Sequence, residues 1–495
     1  MVGTPDTGDI LFPTSRMAPT MNDAKPPTLN RTLVGVLAVF GTVMLVGGTD
    51  MTKVTVALPT LNEALSLESV QSLWVADVYA LAAGVVLVTS AVVADRYGRK
   101  RIYLLGLGVA AVSAMLAGLA PNGAMLIAAR IGQGIGSALL IAGTVAIIRV
   151  TFPGLRLRAL AYGVWTAGFS TGSALGPLLG GGLVDVAQWQ WVFWINVPIL
   201  LACLVAAWII LPESTNPDPP SLDALSAGLS AAAVGLPIAG LKRLTQPGVP
   251  SWLILAAAGV GTVAAVLFVI RQLRMPRPFL EVQLFADRLL AVSAAVIAVT
   301  LGVFNGTLYL LTLRYQIIDG LSAIDAGIAL IPLAAAMATG GLLGPLLQRR
   351  LAEQHVITGG LGLAAVGSLV LATTTGVGHV AGMVTLGLGS GIVMAIGANA
   401  VMSAAAEHRT ADAGAIQESA FALGSGTGIA VLGVTAIHFG NPASGIPSAE
   451  TVYGPGTETA LGLTAFFYAL FAIGSGLVVL STTRRHHSRR HLRVL

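Results

Sequence analysis

From residue 32 onward the chain is a succession of apolar runs, each about 20 residues long and separated by short polar stretches. In hydrocarbon every backbone N–H and C=O must be paired internally, so such runs have one economical solution, the membrane-spanning helix. Composition agrees: 55% of the 495 residues are hydrophobic and only 10% are charged, where a soluble domain carries about 25%. Barrel strands would read as alternating segments of ~10 residues, and the sequence has none. Sixty glycines suit helices that pack closely in lipid.

We read fourteen spans, at residues 32–58, 72–94, 102–120, 124–150, 159–184, 190–211, 224–241, 251–271, 290–313, 322–343, 356–374, 380–403, 413–438 and 459–482. Arg96, Arg99, Lys100 and Arg101 follow span two, and Arg149, Arg156 and Arg158 lie at or beyond the end of span four. Arg271, Arg274, Arg277 and Arg288 lie at or beyond the end of span eight, Arg349 and Arg350 follow span ten, and RRHHSRRHLRVL follows span fourteen. The loops on the opposite side hold only Lys242, Arg243 and Arg314. Positive loops stay inside, so both termini are expected in the cytoplasm of a multi-pass plasma-membrane protein. The same rule accounts for the net charge of +5 without nucleic acid.

Residues 107–112 (LGVAAV) and 361–366 (LGLAAV) are offset by 254, which maps span one onto span nine. This predicts an all-helical membrane protein of two six-helix bundles, 32–211 and 290–482, with an inserted helix pair and its linkers at 212–289. Residues 1–31 read as a disordered cytoplasmic tail and 483–495 as a basic cytoplasmic tail. The N-terminal stretch lacks the short apolar core of a secretory signal. Cys203 is the sole cysteine, which excludes an intrachain disulfide. The seven histidines show no ligand spacing, so no metal is expected. No P-loop and no GxSxG elbow occurs, so neither direct ATP use nor nucleophilic catalysis is expected, and no cofactor.

Four stretches stand out in the first half. ADRYGRKR (94–101) joins spans two and three; Gly98 suits a tight turn, and Asp95 suits a helix cap or a pair with arginine. ARIGQGIGSALL in span four places Arg130 and Gln133 about one turn apart. GFSTGSALGPLLGGG in span five places Gly168, Gly172, Gly176 and Gly180 four apart on one face, beside Gly181 and Gly182. Pro177 removes a backbone hydrogen bond there and can bend the helix. WQWVFWINVPI (189–199) follows. Together with Trp74 and Tyr79 of span two, these resemble the major facilitator superfamily, and most closely its fourteen-span drug:proton antiporters. In the second half QESAFALGSGTGIAVLG (417–433) resembles that family's thirteenth span. The resemblance implies that Asp95, Gly98 and Arg99 latch the two bundles on the cytoplasmic side. It implies further that Gly172, Gly176, Pro177, Gly180 and Gly181 form the antiporter helix motif, and that Arg130 sits near the proton path. The chain departs from the pattern at Lys53, where the family has a branched apolar residue, at Thr55 in place of Asn, and at Ala91 in place of glycine. It also has Arg349 where the repeat would place a counterpart of Asp95.

Charges inside spans are functional candidates, because each costs about 2.5–3.5 kcal/mol when alone at mid-membrane. Five qualify: Asp50, Lys53, Asp77, Arg130 and Glu418. At ~1.5 Å per residue the first four lie roughly 8–12 Å below the outer surface, where spans one, two and four could present them to one shared cavity. Glu418 falls near the cytoplasmic end. Asp50 and Lys53 are i and i+3 on one helical face. They are either a cavity-lining pair that takes part in transport, an ion pair that only orients span one, or an acid beside a snorkelling lysine. Asp50 carries a proton only if the pair opens, whereas Asp77 and Glu418 have no cation nearby in sequence and are the easier carriers. Arg130 reads as the partner of a buried acid rather than a substrate ligand. Asp185 and Asp325 read as surface residues.

The expected function is proton-coupled export of small amphipathic compounds by a monomer that binds substrate, protons and the lipid bilayer. Tolerance of neutral or anionic compounds is expected, because Lys53 and Arg130 offset the acids. The alternatives are a membrane sensor or assembly partner that keeps the fold without transport, and a channel, which no ring of like charges supports.

Overall fold

The computed structural model describes residues 31–473, apart from 153, 217–221, 247, 277, 279, 405–409 and 441–451. Most of the N-terminal tail, the basic C-terminal tail and the end of span fourteen lie outside the described residues. The first bundle comprises α1 (Arg31–Leu65), α2 (Ser69–Tyr97), α3 (Arg99–Gly118), α4 (Gly123–Thr151), α5 (Gly154–Val186), and a span broken into α6 (Trp191–Trp194) and α7 (Asn196–Ile210). The inserted pair is α8 (Ala224–Arg243) and α9 (Ser251–Arg274). The second bundle comprises α10 (Arg288–Ile317), a span broken into α11 (Ala323–Ala329) and α12 (Ile331–Gln348), α13 (Glu353–Thr373), α14 (Val377–Ala404), α15 (Thr410–Phe439) and a last helix, α16, over Gly454–Ile473. Among the described residues thirteen of these spans are long and apolar enough to cross a membrane; α5 is a further helix of 33 residues.

Helix pairings repeat between the bundles. In the first, α1 packs on α5, α2 on α4, and α3 on α4. In the second, α10 packs on α15, α12 on α14, and α13 on α14. The bundles meet through α2 against α15 and α5 against α11, the same two positions exchanged.

Glycine decides the closest of these contacts. A Cβ on Gly168 would overlap the carbonyl oxygen of Gly41, one on Gly172 that of Leu45, one on Gly176 the Thr52 hydroxyl, and one on Gly180 the carbonyl oxygen of Lys53. The four-residue spacing therefore lays α5 directly on α1, against its backbone and the Thr52 hydroxyl. Pro177 has no N–H to give the carbonyl four residues earlier. That carbonyl, Ser173 O, instead accepts a hydrogen bond from the Thr52 hydroxyl at 3.1 Å, so the proline's unmet acceptor becomes a rivet between the helices. Gly424 and Gly428 do the same for α15, lying against the backbone of α10 at Ala298 and Gly302.

The two bundles are joined at one end, where α1 ends and α2 begins. A single apolar cluster there includes Leu58, Leu61 and Leu73 from the first bundle and Tyr309, Leu310 and Leu432 from the second. Gln316 donates to the Val56 carbonyl at 2.8 Å, and Asp185 accepts from the Ile324 N–H at 3.0 Å. Asp185 is exposed, as the sequence reads it, and makes this bond across the bundles from the surface. At the opposite end the apolar clusters stay within one bundle: Leu33, Phe40, Phe152 and Leu157 in the first, and Leu290, Ile297, Val401 and Ile416 in the second.

Replacing Gly172 by Ala should force α1 and α5 apart and cost about 1–3 kcal/mol, read as a lower midpoint of thermal unfolding in detergent. Gly163→Ala, where a new Cβ meets nothing within 4 Å, should leave the midpoint unchanged or raise it. Equal behaviour of the two variants would contradict the packing role of the stripe.

Candidate transport site

The glycine contact fixes the face that α1 turns inward. With Gly48 pressed on the α5 backbone at Phe169, Asp50 points toward α4 and α7. Its Oδ1 lies 3.0 Å from Lys53 Nζ and accepts from Asn196 Nδ2 at 2.8 Å. Its Oδ2 accepts from Gln133 Nε2 at 3.3 Å. Lys53 also donates to Asn196 Oδ1 at 2.7 Å, which closes a ring of acid, lysine and amide. Asn196 opens α7, and its place is set by the aromatic turn before it. Trp189 meets Phe193 edge-on, Trp191 meets Trp194 edge-on, and Trp194 Nε1 donates to the Met115 carbonyl at 3.3 Å.

Arg130 is fully buried between α1 and α2. A Cβ on Gly134 would overlap the Tyr79 carbonyl, so α4 and α2 approach closely one turn further on. Arg130 therefore reaches the Val75 carbonyl at 3.2 Å, the Asp50 carbonyl at 3.4 Å and Gln133 Oε1 at 3.2 Å. Its guanidinium lies 4.8 Å from the centre of the Tyr79 ring, and the Tyr79 hydroxyl donates to Ser137 at 3.1 Å. The direct hydrogen bonds of Arg130 go to backbone and amide oxygens, while its charge acts on the Asp50 and Asp77 carboxylates through space. Beside it lies a cavity of about 20 Å³ lined by Gly47, Asp50, Tyr79, Gln133 and Ser137, room for one water.

Asp77 is not without a cation. Lys242 of α8 lies 2.6 Å from its Oδ1, and both side chains are fully buried. Lys242 Nζ also sits 3.5 Å from the centre of the Trp74 ring. The sequence placed Lys242 in a loop, because the apolar run stops at Leu241. The helix continues through Arg243, and that last turn swings the lysine onto α2. Depth was the available signal: Asp77 lies eight residues into α2 from the same end. Asp77 Oδ2 is buried and has no hydrogen-bond partner, as does Arg130 Nη2.

The expected shared open cavity is not what these residues form. Asp50, Lys53, Asp77, Arg130 and Lys242 are all buried in this state, behind the sealed end. Glu418 is not among them. It lies eight residues into α15, partly buried, one turn before Phe421. Between the bundles lies an apolar cluster instead: Met51, Tyr79 and Leu301 are buried and flanked by the half-buried Phe169, Met337, Met394 and Phe421.

Among the described residues the loop motif bonds within the first bundle and to the strap that follows it. Gly98 takes φ of 113° and separates α2 from α3. Asp95 accepts two hydrogen bonds from Arg99, at 3.0 and 2.9 Å. The same loop then grips the strap after α7: the Asn216 N–H donates to the Asp95 carbonyl, and the Arg99 N–H to the Ser214 carbonyl, both at 2.9 Å. Glu213 reaches the Lys100 N–H at 3.2 Å and Arg101 at 3.6 Å. In the second bundle Gln348 meets Glu353 at 3.1 Å, with no acid at the position of Arg349.

The sequence pattern of the Major Facilitator Superfamily matches residues 38–429. This chain belongs to that superfamily. It is 32% identical over 422 residues to the multidrug efflux pump LfrA of Mycolicibacterium smegmatis, covering 84% of this chain and 83% of that one. It is 33% identical over 391 residues to the methyl viologen resistance protein SmvA of Salmonella typhimurium, covering 78% and 79%. With the methylenomycin A resistance protein of Bacillus subtilis the identity is 32%, covering 81% and 87%. These relatives agree with the resemblance to drug:proton antiporters. Among solved structures, an inward-facing, unoccupied bacterial homologue of the human lysosomal transporter Spinster superposes with a TM-score of 0.67. It is 17% identical and covers 92% of this chain and 99% of its own, a likeness of fold alone.

Removing one member of the Asp50 ring strands a buried charge, which costs about 3–5 kcal/mol. Lys53→Met should therefore lower the unfolding midpoint sharply, and Asp50→Asn added to it should restore most of the loss. Additive losses would show that the pair contributes nothing as a pair.

Proposed function

We propose that the protein exports small amphipathic compounds from the cytoplasm in exchange for protons, by rocking the two bundles about the apolar centre. Loop charge supports a plasma-membrane orientation with both termini inside, so the sealed end faces outward and the centre faces the cytoplasm. The observation that carries the reading is the pairing of Asp77: a carboxylate buried at the sealed end, held by a lysine, with one oxygen unengaged. A proton can add to that oxygen without first breaking a hydrogen bond. Asp50, whose two oxygens accept from Asn196 and Gln133 and meet Lys53, is the organiser rather than the carrier. Rocking opens the outer end and brings Asp77 to bulk protons; closing it returns the centre to the cytoplasm for substrate.

Substrate contact falls on methionine and phenylalanine side chains. Methionine is unbranched and polarisable, so such a surface adapts to many apolar shapes. Tolerance of neutral or anionic compounds follows from the pairing, because Lys53 and Lys242 leave Asp50 and Asp77 no free charge to offer a cation. Glu418, near the open mouth, is the remaining acid and a second candidate for proton exchange.

Everted membrane vesicles carrying the protein should accumulate a fluorescent amphipathic dye when acidified inside, and an uncoupler should release it. Accumulation indifferent to the uncoupler, or none with a panel of neutral, anionic and cationic dyes, would favour the non-transporting alternative. Phe421→Ala and Met337→Ala should each weaken half-saturation several-fold while leaving the pH dependence alone, since each removes apolar contact worth about 1–3 kcal/mol.

A further inference from the structure

The inserted pair α8–α9 sits outside both bundles, yet it supplies one of the molecule's fully buried lysines. Lys242 leaves the last turn of α8, passes over Trp74 and ends on Asp77. Ile238, one turn earlier, lies with Leu81 of α2 and Ala430 of α15 in one buried cluster, flanked by Trp74 and Val234. So α8 crosses the seam between the bundles at the place where α2 and α15 meet, and must leave one of them when that seam parts.

Three contacts tie it to α2. Lys242–Asp77 is the first, at the sealed end. The second is the strap at the opposite end, where Ser214 and Asn216 bond to the α2–α3 loop through Arg99 and Asp95. The third is Ile238 on Leu81. Toward α15 the cluster offers only the methyl of Ala430, and no charge or hydrogen bond joins α8 to α15 among the described contacts. Within the pair, Arg271 of α9 bonds Asp223 at the start of α8 at 2.8 and 3.1 Å, and Gln272 bonds Ser226 at 2.7 Å, so the two helices move as one.

We propose that the inserted pair is a working part of the first bundle: it travels with α2 and delivers Lys242 as the counter-ion that a proton must displace from Asp77. Lys242 is a positioning residue, acting through Asp77. Arg130 from α4 is the other cation acting on that carboxylate; where α15 meets α2, at Leu73 and Leu81, it presents Gly433, Gly426 and Ala430, none of them charged. The inference rests on Asp77 as the proton carrier, and it gives the pair a task beyond spacing two bundles.

Two tethers test the motion, each in a Cys203→Ala background and joined by a short reducible thiol linker. Leu81→Cys with Ile238→Cys ties α8 to α2 and should leave proton-driven dye accumulation within about twofold of the unlinked protein, as expected for parts of one rigid body. Ile238→Cys with Ala430→Cys ties α8 to α15 and should lower it roughly tenfold until the linker is cleaved, since the tether spans two bodies that must separate. The opposite pattern, or equal effects, overturns the assignment. Lys242→Met tests the counter-ion: the pH profile of transport should move to higher pH, because a proton no longer competes with an ammonium group, and Lys242→Arg should restore it. An unmoved profile overturns that role. Should Lys242→Met fold poorly, Asp77→Asn added to it should recover the folded amount; failure to recover it counts against the pair. That last readout needs no transport, so it separates failure of the pair from failure of the transport reading.

Discussion

The contact on which the rest depends is backbone against backbone, α1 on α5. A lysine and an aspartate one turn apart in a span would each be costly alone. They are tolerable here because the glycine stripe of α5 takes up one face of α1 and leaves the other to Asn196, Gln133 and Arg130. Any side chain larger than hydrogen at Gly172, Gly176 or Gly180 would displace Asp50 and Lys53 from the amide that joins them. The glycine stripe of α5 thus bears on the ionic site indirectly, by setting the register in which α1 presents it.

The second bundle repeats the packing without the charges. Gly424 and Gly428 seat α15 on α10 as α5 seats on α1, yet α10 carries Asn305 and Thr312 in its buried core rather than an ion pair. The asymmetry divides the labour. The first bundle and the inserted helix pair hold the buried ion pairs, and the second offers apolar surface, a seam and the partly buried acid Glu418. Rigid-body rocking between them would have to part the crossing contacts at the sealed end, which include the shared apolar cluster of Leu61, Leu73 and Tyr309 and the bonds of Gln316 to Val56 and Ile324 to Asp185.

Much of this was legible in the residues. The fourteen spans, the glycine stripe, the turn at Gly98 and the pairing of Asp50 with Lys53 follow from hydropathy, spacing and local sterics. Three features were not, for one common reason: they are contacts between residues distant in the chain at matching depth. Lys242 looked like a loop residue because an apolar run stops where a lysine begins, while the helix goes on. Asn196 was visible as a motif residue, but nothing local says that an amide at the start of α7 bridges an ion pair in α1. The loop motif was expected to latch the bundles; in this state its hydrogen bonds go to the strap leading into α8.

The account assigns the travelling proton to Asp77 and the organising role to Asp50. Purified protein in liposomes loaded with a pH-sensitive dye measures this directly, as the proton movement that follows addition of substrate on one side. Asp77→Asn should abolish proton movement while substrate still equilibrates down its own gradient, and Asp50→Gln should lower both together. Proton movement that persists per substrate in Asp77→Asn would contradict the account.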